Sequence, residues 1–208
     1  MALELHLSGG QLNSSSDGSL GGIMSDTIVT TDVVENLFDN INRSESLLGR
    51  TEYRCFYIKN NGIARTANVF VTISAKAGIT DISLGLDPAG KGDGSTRGVA
   101  TSIVTEDTTP TGVRWFDVHK EWDTVVFPVG AIKDGEAVAV WLRRETEQGA
   151  SQTVTFDLKV DWDTVGTDIV FPGDDVDDDL SLGEMYKVEI LTAPFVIGTA
   201  KIGQSEIG

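Results

Sequence analysis

Thr51-Glu52-Tyr53-Arg54-Cys55-Phe56-Tyr57-Ile58-Lys59 is the most strongly patterned stretch of the chain. In an extended backbone successive side chains alternate faces. Tyr53, Cys55 and Tyr57 then point one way, and Arg54, Phe56 and Ile58 the other. Aromatic and β-branched residues favour a pleated, buried setting. The stretch therefore reads as a central strand, large on both faces, with Asn60-Asn61-Gly62 following as a turn signal.

Further strands can be read outward from it. In Asn68-Val69-Phe70-Val71-Thr72-Ile73, the residues Val69, Val71 and Ile73 share a face. The short connection through Asn61-Gly62-Ile63-Ala64 predicts that this run pairs antiparallel with the first. Ile82, Leu84 and Leu86 are in phase within a third run from Ile79 to Leu86. Pro88 to Gly98 is a glycine-dense loop, and Val99 to Val104 is read as another strand. Val113 to Phe116 is short and aromatic, and Thr124 to Phe127 is expected to stop at Pro128. Asp134-Gly135 is a turn before Glu136 to Arg144, where Val138, Val140 and Leu142 share a face. Ser151 to Val160 alternates with Val154, Phe156, Leu158 and Val160 inward. Gln148-Gly149-Ala150 between the last two runs predicts a hairpin.

About seven or eight short strands with regular turns, and no long helix, predict an all-β fold. The architecture expected is an antiparallel β-sandwich, immunoglobulin-like or jelly-roll, with extended N- and C-terminal arms. A parallel sheet would need helical crossovers, and none is evident. The expected division is an N-terminal arm over 1–26, a sandwich domain over 27–165, and an acidic linker with a C-terminal arm over 166–208. Residues 1–26 hold few large apolar residues after Leu7, many Ser and Gly, and no Lys or Arg, which predicts low intrinsic order or an arm that orders on a neighbour. Residues 32–50 read as a loop with local turns, one closed by Gly49. Met185 to Leu191 resumes a strand-like pattern.

Charge narrows the partners. The chain has 32 Asp and Glu against 16 Lys and Arg, a formal charge of −16. Nucleic-acid affinity depends on cations that neutralise phosphates, and anionic membrane surfaces also attract cations. Neither nucleic acid nor membrane is an expected partner. The opening residues lack the basic and apolar regions of a secretory signal, and no apolar run approaches a membrane span.

Candidate chemistry is sparse. Cys55, the single cysteine, sits in an apolar pattern and reads as a small buried hydrophobe. The acidic run at Asp174–Asp179 lacks the order of an EF-hand loop and reads as a solvated linker, with a weak divalent-cation contact as the alternative. Gly90-Lys91-Gly92-Asp93-Gly94-Ser95-Thr96 lacks the phosphate-loop spacing. His119 lies among Asp117, Lys120, Glu121 and Asp123, and only His6 joins it as a second histidine. Trp115, Trp122, Trp141 and Trp162 read as core or interface, with a sugar-stacking platform as the alternative. Trp141 faces opposite Val138 and Val140, which suits cover on a second sheet face or a subunit contact. No residue is nominated as catalytic, cofactor-binding or metal-ligating, and no enzyme activity or cofactor is expected.

Leu7-Ser8-Gly9-Gly10, Ser19-Leu20-Gly21-Gly22, the stretch from Thr51 to Asn60, Pro110-Thr111-Gly112-Val113 and Ala139-Val140-Trp141-Leu142-Arg143-Arg144 are five separate pieces of the chain. Together they resemble virion structural proteins of tailed bacteriophages. They fall in the expected order across roughly the first three quarters of the chain; the segment after Trp162 has no counterpart. The resemblance implies a non-enzymatic particle component with a β-sandwich body. Capsid decoration is the first expectation, with a neck, tail or fibre-attachment protein as the alternative. A carbohydrate- or receptor-binding sandwich module is a further alternative, motivated by the tryptophans. The implied partners are the major capsid protein or other virion proteins and further copies of the chain. The implied location is the virion, assembled in the host bacterial cytoplasm.

Overall fold

The computed structural model describes residues 3–29, 37–38, 47–62, 66–77, 80–117, 124–149, 155–164 and 195–201. Within them lie nine strands: β1 (Leu3–Leu7), β2 (Arg50–Asn60), β3 (Thr66–Ala77), β4 (Thr80–Gly92), β5 (Arg114–Asp117), β6 (Thr124–Lys133), β7 (Ala137–Thr146), β8 (Thr155–Thr164) and β9 (Phe195–Lys201). They form two sheets, ordered β1-β2-β7-β4-β5 and β6-β3-β8-β9. Every pairing is antiparallel. The fold is all-β and sandwich-like, as expected.

Alternation places the core. Phe56 and Ile58 of β2, Val138, Val140 and Leu142 of β7, and Ile82 and Leu84 of β4 form one buried cluster with Val69, Val71 and Ile73 of β3 and Val160 of β8. These side chains fill the space between the sheets. Burying each such side chain is worth about 1.5–3 kcal/mol, and the period of two assigns them without reference to pairing. The opening stretch is indeed interior to its sheet, with β1 on one side and β7 on the other.

Two expected hairpins are not hairpins. β2 and β3 lie in different sheets, and so do β7 and β8. The chain crosses between sheets after β2, after β3, after β5, after β6 and after β7. Gly62 and Gly149 adopt φ of 77° and 82° beside two of these crossings. A left-handed glycine serves a hairpin turn and a sheet-to-sheet corner alike, so the turn residues could not tell the two apart. Asn60 supports one corner: its side chain donates to the Ile132 carbonyl at 3.0 Å. Its backbone exchanges hydrogen bonds with Gly135 and Glu136 at 2.9 Å each.

Two other expectations change. Pro128 does not stop β6, which runs on to Lys133. Among the described strands β6 pairs only with β3, and the register shifts beside Pro128, opposite Val69 and Phe70. An edge strand with a bulge has no use for the missing N–H. Val99 to Val104 is not a strand; the only pairing in it is an isolated bridge between Gly22 and Ala100.

The N-terminal segment is part of the body over its described length. Leu3, Leu5 and Leu7 are buried in the core, and β1 pairs with Phe56–Asn60 of β2. Residues 25–29 then cover the outer edge of β1, through Ser25 N to Leu7 O, Leu7 N to Thr27 O and Val29 N to Leu5 O. Leu20, Met24 and Val29 also pack against the core clusters, and between them hydrogen bonds order the segment. Ser8, Ser19 and Ser25 are all buried. Ser8 Oγ accepts from Gly21 N at 3.0 Å, and Asn13 Nδ2 donates to the Ser8 and Ser15 carbonyls at 2.6 and 2.9 Å. At the other end of the chain, β9 pairs with β8, so the region expected to be a C-terminal arm supplies a strand. The acidic run at 174–179 and the strand-like pattern at 185–191 lie outside the described residues, as does His119.

Candidate functional site

The buried polar side chains of the five-stranded sheet fall on two faces. The face turned away from the core holds Tyr53, Cys55 and Tyr57 of β2 with Ala137, Ala139 and Trp141 of β7. Two loops cover it: residues 8–24 and residues 93–113. Their carbonyls also cap the part of β2 that β1 does not reach. Cys55 N donates to Ser19 O at 2.8 Å and Tyr53 N to Glu106 O at 2.7 Å.

Tyr57 joins the two loops. Its hydroxyl accepts from Ala100 N at 2.8 Å and donates to Gly22 O at 2.6 Å. Asp87 of β4 holds the second of these loops. Its carboxylate accepts from Thr101 N at 2.7 Å, from Ala89 N at 2.9 Å and, more distantly, from Trp141 Nε1 at 3.4 Å. Close approach requires glycine at one point. Gly21 has φ of 84°, and a Cβ there would strike the Thr101 carbonyl and the Trp141 ring.

On the core side, the sheet ends in an ion network that sequence reading missed. Glu52, Arg54 and Arg144 are each no more than 1 % exposed. Arg144 Nε donates to Glu52 Oε2 at 2.7 Å, and its terminal nitrogen pairs with the same oxygen. The Arg54 and Arg50 guanidinium groups both pair with Glu106 from the covering loop. Asp17 comes within 3.6 Å of Arg54. Phe38 lies beneath both buried cations, with its ring centroid 4.6 Å from the Arg144 guanidinium and 5.6 Å from that of Arg54. Cation–π contacts of this kind stabilise most where water is excluded. Burial pushes the Glu52 carboxyl above its ordinary range, while the charge and hydrogen bond of Arg144 pull it back. The signal for the network was phase: Glu52 and Arg54 share the face of Phe56, and Arg144 shares that of Leu142.

The sequence candidates separate rather than converge. Cys55 is fully buried, and burial drives its thiol far above the ordinary range, which leaves no thiolate to react. In the glycine-rich loop, Asp93 Oδ1 accepts from the N–H groups of Ser95, Thr96 and Arg97 at 2.9, 3.0 and 3.1 Å. The donors that a phosphate would need are thus engaged by the loop's own carboxylate, which these bonds hold well below its ordinary range. Trp141 is fully buried. Trp115 lies with its centroid 5.6 Å from Tyr53 and 5.3 Å from the Arg143 guanidinium. Among the described residues, no group of three or more His, Cys, Asp or Glu is placed to hold a metal ion.

The bonds of Tyr57, Asp87, Arg50 and Arg54 tie two loops to the five-stranded sheet. No protein-family model matches the chain, and no curated protein is significantly similar to it.

Proposed function

We propose that the chain is a structural component of a bacteriophage virion, most specifically a capsid decoration protein that binds the shell and neighbouring subunits. The sequence resemblance supplies the class. The observation that carries the reading is the use to which the polar side chains are put. Tyr57, Asp87 and Arg54 fasten loops to the sheet, and Glu52 and Arg144 pair β2 with β7 within it. A rigid frame of this kind suits a subunit whose work is contact rather than turnover. The acidic balance suits a partner surface that is basic.

The finer fold is read as immunoglobulin-like rather than jelly-roll. The order β1-β2-β7-β4 beside β6-β3-β8-β9 matches the A-B-E-D and C′-C-F-G sheets of that architecture. The departure is that β4 and β5 precede β6 along the chain. A sugar-binding module is less favoured, because Trp141 is enclosed and Trp115 lies against Tyr53 and Arg143.

The test is a density map of purified particles together with their peptide inventory. Sandwich density on the outer surface of the shell, and peptides of this chain in the particle, are expected. Density confined to the neck or tail would select the alternative position. A chain absent from washed particles and monomeric in solution would overturn the proposal.

A further inference from the structure

We propose that Asn61 is a site of spontaneous deamidation, and that its conversion to aspartate unfastens the N-terminal strand. Asn61-Gly62 is the single Asn-Gly pair in the sequence. Both residues are exposed, and Gly62 sits at φ of 77° where the chain leaves β2. In this chemistry the Gly62 backbone nitrogen attacks Asn61 Cγ, forming a five-membered succinimide. The Cγ–amide bond breaks, and the displaced nitrogen leaves as ammonia with the proton lost from Gly62. Water then opens the ring to aspartate or isoaspartate. A glycine on the C-terminal side favours the attack because no Cβ hinders it.

Asn13 and Asn60, the other asparagines whose side chains the structure describes, are better guarded. Asn60 is buried and donates to Ile132 O. Asn13 donates to Ser8 O and Ser15 O and accepts from Ser15 N. Asp93, which precedes Gly94, has its carboxylate held by three backbone N–H groups and so stays ionised, a poor electrophile. Asn61 has one side-chain bond, and that bond is the point of the proposal. Its Nδ2 donates to Glu4 Oε1 at 2.8 Å. Glu4 Oε2 lies 3.2 Å from His6 Nε2, and His6 Nδ1 lies 2.9 Å from the Ser25 carbonyl.

Four groups thus run in a chain from the end of β2, across β1, to the segment that covers its edge. Lys59 is opposite Glu4 in register. Deamidation replaces the terminal donor by a second carboxylate facing Glu4. The bond becomes a repulsion, and the isoaspartate product also lengthens the backbone at the corner after β2.

Peptide mapping of the purified full-length chain, incubated in mildly alkaline buffer, reads the first half. Asn61 is expected to gain about one dalton roughly tenfold faster than Asn13 or Asn60 in the same digest, with isoaspartate among its products. Conversion no faster than at those two positions would overturn the site. Amide exchange on the Asn61→Asp variant reads the second half. Exchange at residues 4–7 and 25–29 is expected to quicken about tenfold, with β7 unchanged. Unchanged exchange at residues 4–7 and 25–29 would overturn the coupling. Asn61→Gln, which keeps the donor and resists ring closure, is expected to lose the mass gain while keeping wild-type exchange; a mass gain that persists there would also overturn the site.

Discussion

The two faces of the five-stranded sheet are buried by different means. Toward the core, Phe56, Ile58, Val140, Leu142 and Leu84 meet the apolar face of the second sheet, and burial there is non-directional. On the outside, Tyr57, Cys55 and Trp141 meet loops rather than a sheet. Loops carry unpaired backbone groups, so this face is closed only where each carbonyl and N–H finds a partner. Small residues make room for them: Ala137 and Ala139 on β7 and Gly85 on β4 lie on this side. One face should therefore respond to lost volume, and the other to lost hydrogen bonds as well.

The largest expected break is Trp141→Ala. It empties a fully enclosed site and removes a donor to Asp87. A loss of about 3–5 kcal/mol is expected in denaturant unfolding. Leu142→Ala, one residue on and on the other face, should cost about 2–5 kcal/mol. The comparison sharpens in hydrogen exchange: Trp141→Ala should expose residues 99–103 selectively, and Leu142→Ala should not. Equal exposure of that loop in both variants would mean that the faces are not independent.

Glu52→Ala comes next, leaving Arg144 buried beside Phe38 without its nearest carboxylate. Half a buried pair costs about 3–5 kcal/mol, whereas replacing both partners by apolar residues is often neutral or stabilising. Glu52→Leu combined with Arg144→Met should therefore recover most of the loss. Failure of the double variant to exceed the single one in urea midpoint would show that the network has a role beyond packing. Tyr57→Phe is smaller. It keeps the ring on the outer face and removes only the hydroxyl that joins Gly22 O and Ala100 N, at about 1–3 kcal/mol.

The smallest effect is in pH, and its sign differs between two glutamates of this sheet. Hydrogen bonding from Asn61, with His6 assisting, lowers the Glu4 carboxyl below its ordinary value of 4.5. Its contribution is present above that value and fades as pH falls through the lowered one. Solvent screening holds it below about 1 kcal/mol. Burial instead raises Glu52, so the folded state retains a proton that the unfolded state has released. That group makes stability fall as pH rises from 4.5 through its raised value. Melting temperature against pH for Glu4→Gln and Glu52→Gln should show these two slopes with opposite sign.

Sequence periodicity determined a good deal. Alternation assigned Phe56, Ile58, Val138, Val140 and Leu142 to one face and Tyr57, Cys55 and Trp141 to the other, because side-chain direction follows from backbone geometry alone. It also placed Arg54 and Arg144 in phase with core residues. Whether an in-phase charge is buried depends on a distant partner, and Glu106 lies 52 residues from Arg54. Tertiary structure alone decided which strands pair. Gly62, Gly135 and Gly149 turn the chain at positive φ, and that local chemistry is the same whether the next strand joins this sheet or the other. It alone ordered the N-terminal segment too, since Ser8, Asn13, Ser19 and Ser25 gain stability from bonds to residues that composition does not reveal. The stretch from Thr51 to Lys59 was legible as a two-faced strand; what covers each face was settled by the segments that fold back onto it.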